Sequence, residues 1–112
     1  MPEEEYQKLL IDQAIMECMT NCARHAGGTR VFVKITNNKV LCKVQITNNG
    51  KKPAEGSQEG GGLTSLRKTV EREGGKMQVI FSPEFELILL LSHEKDREIK
   101  SSEEVTVKIL NS

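Results

Sequence analysis

The sequence has few of the side chains that proteins use to bind nucleic acids or membranes. Its 112 residues include no tryptophan, and only 4% of them are aromatic. Lysine plus arginine and aspartate plus glutamate number 16 each, so the chain has no net charge to attract a polyanion. The longest apolar run, residues 87–91, is far shorter than the roughly 20 residues that cross a bilayer. We therefore expect this segment to bind no nucleic acid and to make no membrane contact.

Cysteines are too few and too irregularly spaced for a disulfide framework. Cys18, Cys22 and Cys42 are an odd number, and no signal peptide precedes the first helical pattern. This usage indicates a reducing compartment, and we expect a cytoplasmic location. A chain of this length is also the size of one small domain with a single core.

Hydrophobic periodicity predicts two helices and two hairpins. Residues 3–25 repeat apolar side chains at helical spacing and then meet a pair of glycines that end the helix. Alternation at residues 31–35 and again at 40–46 predicts a β-hairpin around two asparagines. A second helix, with apolar residues at 63–70, also ends at two glycines, and residues 77–91 predict a second hairpin.

The remaining segments are polar, with one exception near the C-terminus. Residues 49–62 hold several glycines and Pro53 but almost nothing apolar, which predicts a mobile loop. The apolar residues at 105–110 could form one more strand, pairing at a sheet edge within this chain or between two chains of a homodimer. We therefore divide the chain into residues 1–92 and a charged tail, residues 93–112, that carries this additional edge strand.

The order of elements, αββαββ, indicates an α+β fold. Such an order favours a two-layer α/β sandwich, in which helices cover one face of a sheet. We expect a mixed, mostly antiparallel sheet with both helices on the same face.

Four polar side chains form a stripe on the first helix: Glu17, Asn21, Arg24 and His25. The Glu17 carboxylate and the Asn21 carboxamide lie one turn apart and can offer oxygens to Mg²⁺, which usually keeps waters and also binds substrate phosphates. Arg24 and His25 could face phosphate. Taken alone, however, the stripe is better explained as the solvated face of an amphipathic helix.

A glycine-rich helix start lies at Gly60, Gly61 and Gly62, directly before Leu63. Glycine permits close backbone approach, and a helix start directs free N–H groups and a positive dipole end toward an anion. The segment therefore predicts a phosphate cradle, although it is neither a Walker loop nor the start of a βαβ dinucleotide unit. A flexible loop with a glycine hinge explains the segment about equally well when it is considered alone.

Together these segments resemble the GHKL ATPase domain of bacterial sensor histidine kinases. Residues 17–26 read Glu-Cys-Met-Thr-Asn-Cys-Ala-Arg-His-Ala and are similar to that family's N box, commonly Glu-Ala-x-Thr-Asn-x-x-Arg-His-Ala. Residues 60–67 read Gly-Gly-Gly-Leu-Thr-Ser-Leu-Arg and are similar to its second glycine box. The order of elements and motifs agrees over residues 3–92, which the resemblance implies to be an ATP-binding catalytic domain with a histidine-kinase-like ATPase fold.

The resemblance also implies roles for individual residues. Glu17 would be catalytic, polarising the attacking group or a metal-bound water, and Asn21 would ligate Mg²⁺. Arg24 and His25 would lie near the phosphates of ATP, which the glycine-rich helix start would hold beneath a closing lid. The residues implied to bind the cofactor are Asn21, Arg24, His25, Asn48, Gly50, Gly60, Gly61, Gly62, Leu63 and Thr64.

The segment aligned with the family's first glycine box departs from the usual Asp-x-Gly-x-Gly. It reads Asn48-Asn49-Gly50-Lys51-Lys52. The family's aspartate accepts a hydrogen bond from the adenine amino group, and the neutral carboxamide of Asn48 would accept a weaker one. Lys52 replaces the second glycine, which could stiffen the lid or bring a charge to the nucleotide.

Neither histidine of the chain resembles a phosphoacceptor. His25 belongs to the N-box-like segment, and we expect His93 to be a solvated residue of the charged tail. The resemblance therefore implies that the acceptor histidine is on a separate dimerisation domain of the parent kinase, with a response regulator downstream. The chain would act in the cytoplasm, including as the cytoplasmic part of a membrane-anchored sensor.

Three alternatives stay open. A GHKL-type anti-sigma factor, which is a serine kinase and protein-binding switch, shares the Glu-x-x-x-Asn spacing. A degenerate module that binds nucleotide weakly, or binds only a partner protein, would explain Asn48 and Lys52. Cys18, Cys22 and His25 could meet one zinc ion, although burial in the apolar stripe is the better explanation of both thiols.

Overall fold

The computed structural model describes the backbone of residues 3–51, 61–93 and 101–108 and the side chains of residues 5–24, 27–51 and 61–93. Most of the predicted mobile loop, together with Gly60 and Lys52, lies outside these ranges. Within them the chain forms an α+β fold in the order α1 (Glu3–Asn21), a π-helical turn (Cys22–Ala26), β1 (Arg30–Asn37), β2 (Leu41–Asn48), α2 (Gly61–Arg72), β3 (Lys76–Ile80), β4 (Glu86–Ser92) and β5 (Ser101–Lys108).

The strands form one sheet in the order β3-β4-β2-β1-β5. Every described pairing is antiparallel, so the mixed sheet that we expected is purely antiparallel in the described part of the chain. The last strand, β5, pairs along the whole of β1, from Arg30 opposite Lys108 to Asn37 opposite Ser101. The predicted additional strand therefore lies at a sheet edge and pairs within this chain.

The core lies between one face of this sheet and the two helices, as the two-layer prediction requires. Because successive strand residues point to opposite faces, the register aligns inward side chains in rows, such as Val33 opposite Ile46 and Ile46 opposite Leu87. Full burial of one such aliphatic side chain contributes roughly 1.5–3 kcal/mol. The helices contribute Leu10, Ala14, Cys18 and Cys22 from α1 and its π-helical turn, and Leu63, Leu66 and Val70 from α2.

Each helical segment ends at a glycine, as predicted. The π-helical turn after α1 ends at Gly27, which has a φ of 62°. After α2, the N–H of Gly74 donates to the Glu71 carbonyl at 3.0 Å and the N–H of Gly75 donates to the Val70 carbonyl at 2.9 Å. This pair of hydrogen bonds is a Schellman motif, which needs the left-handed backbone that Gly74 adopts. Among the described residues, no helix is both long enough and apolar enough to cross a membrane.

The first hairpin turn spans residues 38–40, whereas the alternation predicted strands that leave residues 36–39 between them. Val40 was expected in β2 but lies in the turn, with 63% of its surface exposed. The reason is Asn38, whose side-chain oxygen accepts the N–H groups of Val40 and Leu41 at 2.8 and 3.0 Å. These side-chain bonds replace ladder bonds, so pairing starts only at Leu41.

His93 is not the solvated residue that we expected. Its Nε2 lies 2.6 Å from the side-chain oxygen of Asn37, and its backbone N–H donates to the Val40 carbonyl at 2.9 Å. The end of β4 is thus fastened to the turn between β1 and β2. The charged residues after His93 predict a solvated segment, and nothing near it in the sequence indicates its bond to Asn37.

Replacing Gly74 with alanine should destabilise the protein by about 1 kcal/mol, because a left-handed backbone is strained for a residue with a Cβ atom. Its φ is 82°, and a Cβ atom there would meet no atom of the described residues within 4 Å, so the cost comes from the backbone. Urea unfolding measures the loss as a lower midpoint at an unchanged m-value.

Gly61→Ala is the matched control, since a Cβ atom at Gly61 also meets no described atom within 4 Å but the backbone there is helical. This control should be neutral or stabilising. Equal midpoints for the two variants would contradict the account of the α2 terminus.

Candidate functional site

The carboxylate of Glu17 lies against the first turn of α2. A Cβ atom placed on Gly62 would overlap this carboxylate, and Glu17 Oε1 would lie only 2.8 Å from it. Gly62 therefore allows α2 to start closer to the polar stripe of α1 than a residue with a side chain would. Two segments that the sequence indicated separately, the stripe and the glycine-rich helix start, are in direct contact.

On its other side, the start of α2 is free of contacts from the part of the chain that the structure describes. A Cβ atom on Gly61 would meet no described atom within 4 Å, and both Gly61 and Gly62 are exposed. The first N–H groups of an α-helix have no partner within the helix, and this end of the helix dipole is positive. Leu63 is buried in the core and fixes the position of this helix end, while Thr64 is half-buried beside it.

Asn21 ends α1 with a half-buried side chain that makes no capping hydrogen bond. The next five residues form the π-helical turn, in which each hydrogen bond spans one residue more than in an α-helix. The α-helical spacing behind the predicted stripe therefore holds for Glu17 and Asn21 but not beyond them. Arg24 is exposed within the turn, and the side chain of His25 lies outside the described residues.

Asn48, at the end of β2, is half-buried, and its side chain is already engaged. Its Oδ1 accepts the N–H of Gly50 at 2.8 Å, which sets the direction of the chain after β2. A carbonyl oxygen has two lone pairs, so Asn48 Oδ1 retains the capacity for a second hydrogen bond. The predicted adenine partner is therefore held in place by its own turn.

Asn49 fastens this turn to the segment between the π-helical turn and β1, a role that the sequence did not predict. Its Oδ1 accepts the N–H groups of Thr29 and Arg30, both at 2.9 Å. Its Nδ2 donates to Thr29 Oγ1 at 3.1 Å, and its backbone N–H donates to the Arg30 carbonyl at 3.1 Å. An Asn-Asn-Gly sequence after a strand signals a turn, but it does not say which partner each asparagine binds.

Cys22 lies at the same junction. Its side chain is fully buried, and its thiol donates a long hydrogen bond of 3.9 Å to the Arg30 carbonyl. A Cβ atom on Gly28 would overlap the Cys22 sulfur and would lie 2.8 Å from the Gly50 nitrogen. Burial raises the pKa of Cys22, while hydrogen bonds from the N–H groups of Gly28 and Gly50 oppose that rise.

The buried thiols support the packing explanation over the zinc alternative. Cys18 is 1% exposed, and burial, with the nearby Glu17 and Cys22, raises its pKa to about 12. Cys18 and Cys22 both belong to the hydrophobic core, as the packing explanation requires. The side chain of His25, the third residue of the zinc alternative, lies outside the described residues.

The glycine-rich helix start and the turn after β2 therefore both lie against the C-terminal half of α1 and the π-helical turn that follows it. Gly62 contacts Glu17 from one direction, and Gly50 lies beside the sulfur of Cys22 from another. Asn48, Asn49 and Gly50 are linked by hydrogen bonds to each other or to the start of β1. No protein-family model matches the chain.

Gly62→Ala should destabilise the protein relative to the same substitution made in a Glu17→Ala background. With Glu17 present, the added methyl group must displace the carboxylate, whereas without it the substitution only favours the helix, by up to about 1 kcal/mol. Because the carboxylate ends a flexible side chain that can move aside, a double-mutant cycle from urea unfolding should give a coupling free energy of about 1 kcal/mol.

Gly61→Ala provides the matched cycle, because a Cβ atom there contacts no described atom within 4 Å. Its coupling to Glu17→Ala should be within about 0.5 kcal/mol of zero. If both glycines couple equally to Glu17, the proposed contact between α1 and the start of α2 is wrong.

Proposed function

We propose that this chain is the ATP-binding catalytic domain of a two-component sensor histidine kinase. It would transfer the γ-phosphoryl group of ATP to a histidine on a separate dimerisation domain, with a response regulator downstream, in the cytoplasm. The observation that carries the proposal is the contact between the Glu17 carboxylate and Gly62. This contact joins the N-box-like helix to the glycine-rich helix start, so the two motifs behind the resemblance are neighbours in space.

The residues at the start of α2 fit a phosphate group. No described atom lies within 4 Å of where a Cβ atom on Gly61 would stand, and Gly62 is exposed despite its contact with Glu17. A helix start of this kind binds anions through its free N–H groups and the positive end of its dipole. The phosphate end of ATP is therefore the part of the ligand that these residues suit best.

Asn21 has a side chain that suits a ligand to Mg²⁺. Its carboxamide offers a neutral oxygen, is half-buried one turn from Glu17, and makes no capping hydrogen bond. One protein oxygen is sufficient, because Mg²⁺ usually keeps several waters and shares phosphate oxygens of the substrate. When bound, Mg²⁺ would supply neutralisation of the phosphate charge.

Glu17 would be the catalytic carboxylate. It is half-buried on the side of α1 that faces the start of α2, and Gly62 lies against its carboxylate. A carboxylate held in this way can accept a proton from, or orient, the group that attacks the phosphoryl. Arg24, exposed on the adjoining turn, would add positive charge near the phosphates.

The adenine end of the proposed site is weaker than in the family that the chain resembles. Asn48 is neutral, and its oxygen already accepts the N–H of Gly50 at 2.8 Å. A hydrogen bond to a neutral acceptor is roughly half as strong as one to a charged acceptor. We therefore expect modest ATP affinity. The same neutral acceptor, already bonded to Gly50, is the observation that favours the degenerate nucleotide-binding alternative.

Calorimetry with Mg-ATP at millimolar concentration should detect binding by the unmodified chain and a loss of at least about tenfold in affinity for Asn21→Ala. The loss is expected because the variant lacks the oxygen that would hold Mg²⁺. Gln78→Ala is the control, since Gln78 is an exposed carboxamide of β3 that follows buried Met77 and therefore lies on the sheet face opposite the helices.

Absence of heat from the unmodified chain would exclude ATP binding. Normal binding by Asn21→Ala, with an unchanged unfolding free energy, would remove only Asn21 from the site. A transfer assay then distinguishes the kinase classes: an acid-labile phosphate on a purified dimerisation domain supports the histidine kinase, whereas an acid-stable phosphate on a serine supports the anti-sigma alternative.

Asn48→Asp should tighten binding of ATP by about three- to tenfold, because a charged acceptor would face the adenine amino group while the bond to Gly50 is kept. The affinity for inorganic triphosphate, which has no adenine, should not rise. Asn49→Asp is the charge-matched control, because it adds the same charge one residue away. An equal response of both variants, or none, would show that Asn48 does not contact adenine.

A further inference from the structure

The strongest unassigned feature is the junction of Cys22, Gly28, Arg30, Asn49 and Gly50. The Arg30 carbonyl accepts both the backbone N–H of Asn49, at 3.1 Å, and the thiol of Cys22, at 3.9 Å. The backbone of Gly28 and Gly50 lies on the other side of the sulfur, and its N–H groups lower the pKa of the Cys22 thiol against the effect of burial. The sulfur is thus surrounded by groups from the end of the N-box-like segment, the start of β1 and the turn after β2.

The small size of Gly28 makes this arrangement possible. A Cβ atom at Gly28 would overlap the sulfur and would also lie 2.8 Å from the Gly50 nitrogen and 2.9 Å from Asn49 Oδ1. The sulfur therefore occupies the space that a side chain at Gly28 would need. Removing the sulfur would leave a cavity between the three segments and would take its thiol donor from the Arg30 carbonyl.

Cys18 shows that a buried thiol on this helix need not have such a role. It lies one helical turn before Cys22 and is equally well buried, at 1% against 0% exposure. Its side chain belongs to the hydrophobic core, and none of the hydrogen bonds of the Asn49 turn involves it. The two cysteines therefore differ in what they touch and not in burial.

We propose that Cys22 is a positioning residue, whose sulfur holds the turn of Asn48, Asn49 and Gly50 at a fixed place beside the N-box-like helix. For its effect on ATP this inference rests on the proposed function, because that function assigns Asn48 to adenine. Its effect on the turn itself does not depend on any ligand. Cys22 acts through Gly50 and Asn49 and does not contact the nucleotide.

Amide hydrogen exchange followed by NMR tests the turn directly. In Cys22→Ala the Gly50 amide should exchange roughly three- to tenfold faster relative to the Gly75 amide, which is bonded to Val70 at the far end of α2 and reports overall stability. Cys22→Ser should restore most of the protection, because a hydroxyl can accept an N–H and donate to the Arg30 carbonyl. Cys18→Ala should leave the ratio of Gly50 to Gly75 exchange unchanged.

The same variants test the consequence for binding. Cys22→Ala should weaken Mg-ATP binding about threefold or more while the affinity for inorganic triphosphate stays unchanged, and Cys22→Ser should rescue the loss. Equal effects of Cys22→Ala and Cys18→Ala, or no rescue by serine, would overturn the inference.

Two results separate this inference from the proposed function. If the unmodified chain binds no ATP, the proposed function fails, and Gly50 exchange alone decides the role of Cys22. If Cys22→Ala does not fold, fast Gly50 exchange in Cys22→Ser relative to Gly75 would overturn the inference, and retained protection would support it.

Discussion

The structure depends on small buried side chains along α1 and the turn that follows it. Ala14, Cys18 and Cys22 recur at four-residue intervals and are all at most 1% exposed. Small side chains on one helical face reduce the distance at which the helix packs against its neighbours. This close packing puts Glu17 beside the first turn of α2 and Cys22 beside the turn after β2. Larger residues in these positions would separate the predicted segments even with the same topology.

The two layers themselves could be predicted from the sequence, because burial imposes a period. A strand that is buried on one face alternates with period two, and a helix that is buried along one stripe repeats every three to four residues. The inward residues of β1, β2 and β4 and the buried face of α2 follow these rules closely. The glycine ends of both helical segments were also predictable, because few other residues adopt a left-handed backbone.

The parts that could not be predicted depend on contacts between distant residues or on local departures from regular geometry. Nothing near Cys22 in the sequence signals a π-helical turn, which changes the directions of the following side chains. The partners of Asn49 are in β1 and just before it, and the partner of Gly62 is in α1. The prediction that His93 is solvated is wrong for the same reason, since its partner Asn37 belongs to the first hairpin. Composition near a residue does not identify such partners.

The position of β5 has a consequence for how the protein behaves in concentrated solution. Without β5, strand β1 would be an edge of eight residues with unpaired backbone groups, and it carries the exposed side chain of Phe32. Exposed edges of this kind pair readily with strands of other molecules. With β5 in place, the outermost strands are β3, which has only five residues, and β5, whose sequence includes two adjacent glutamates and a terminal lysine. Short or charged edges discourage such pairing, so β5 protects the sheet from uncontrolled association.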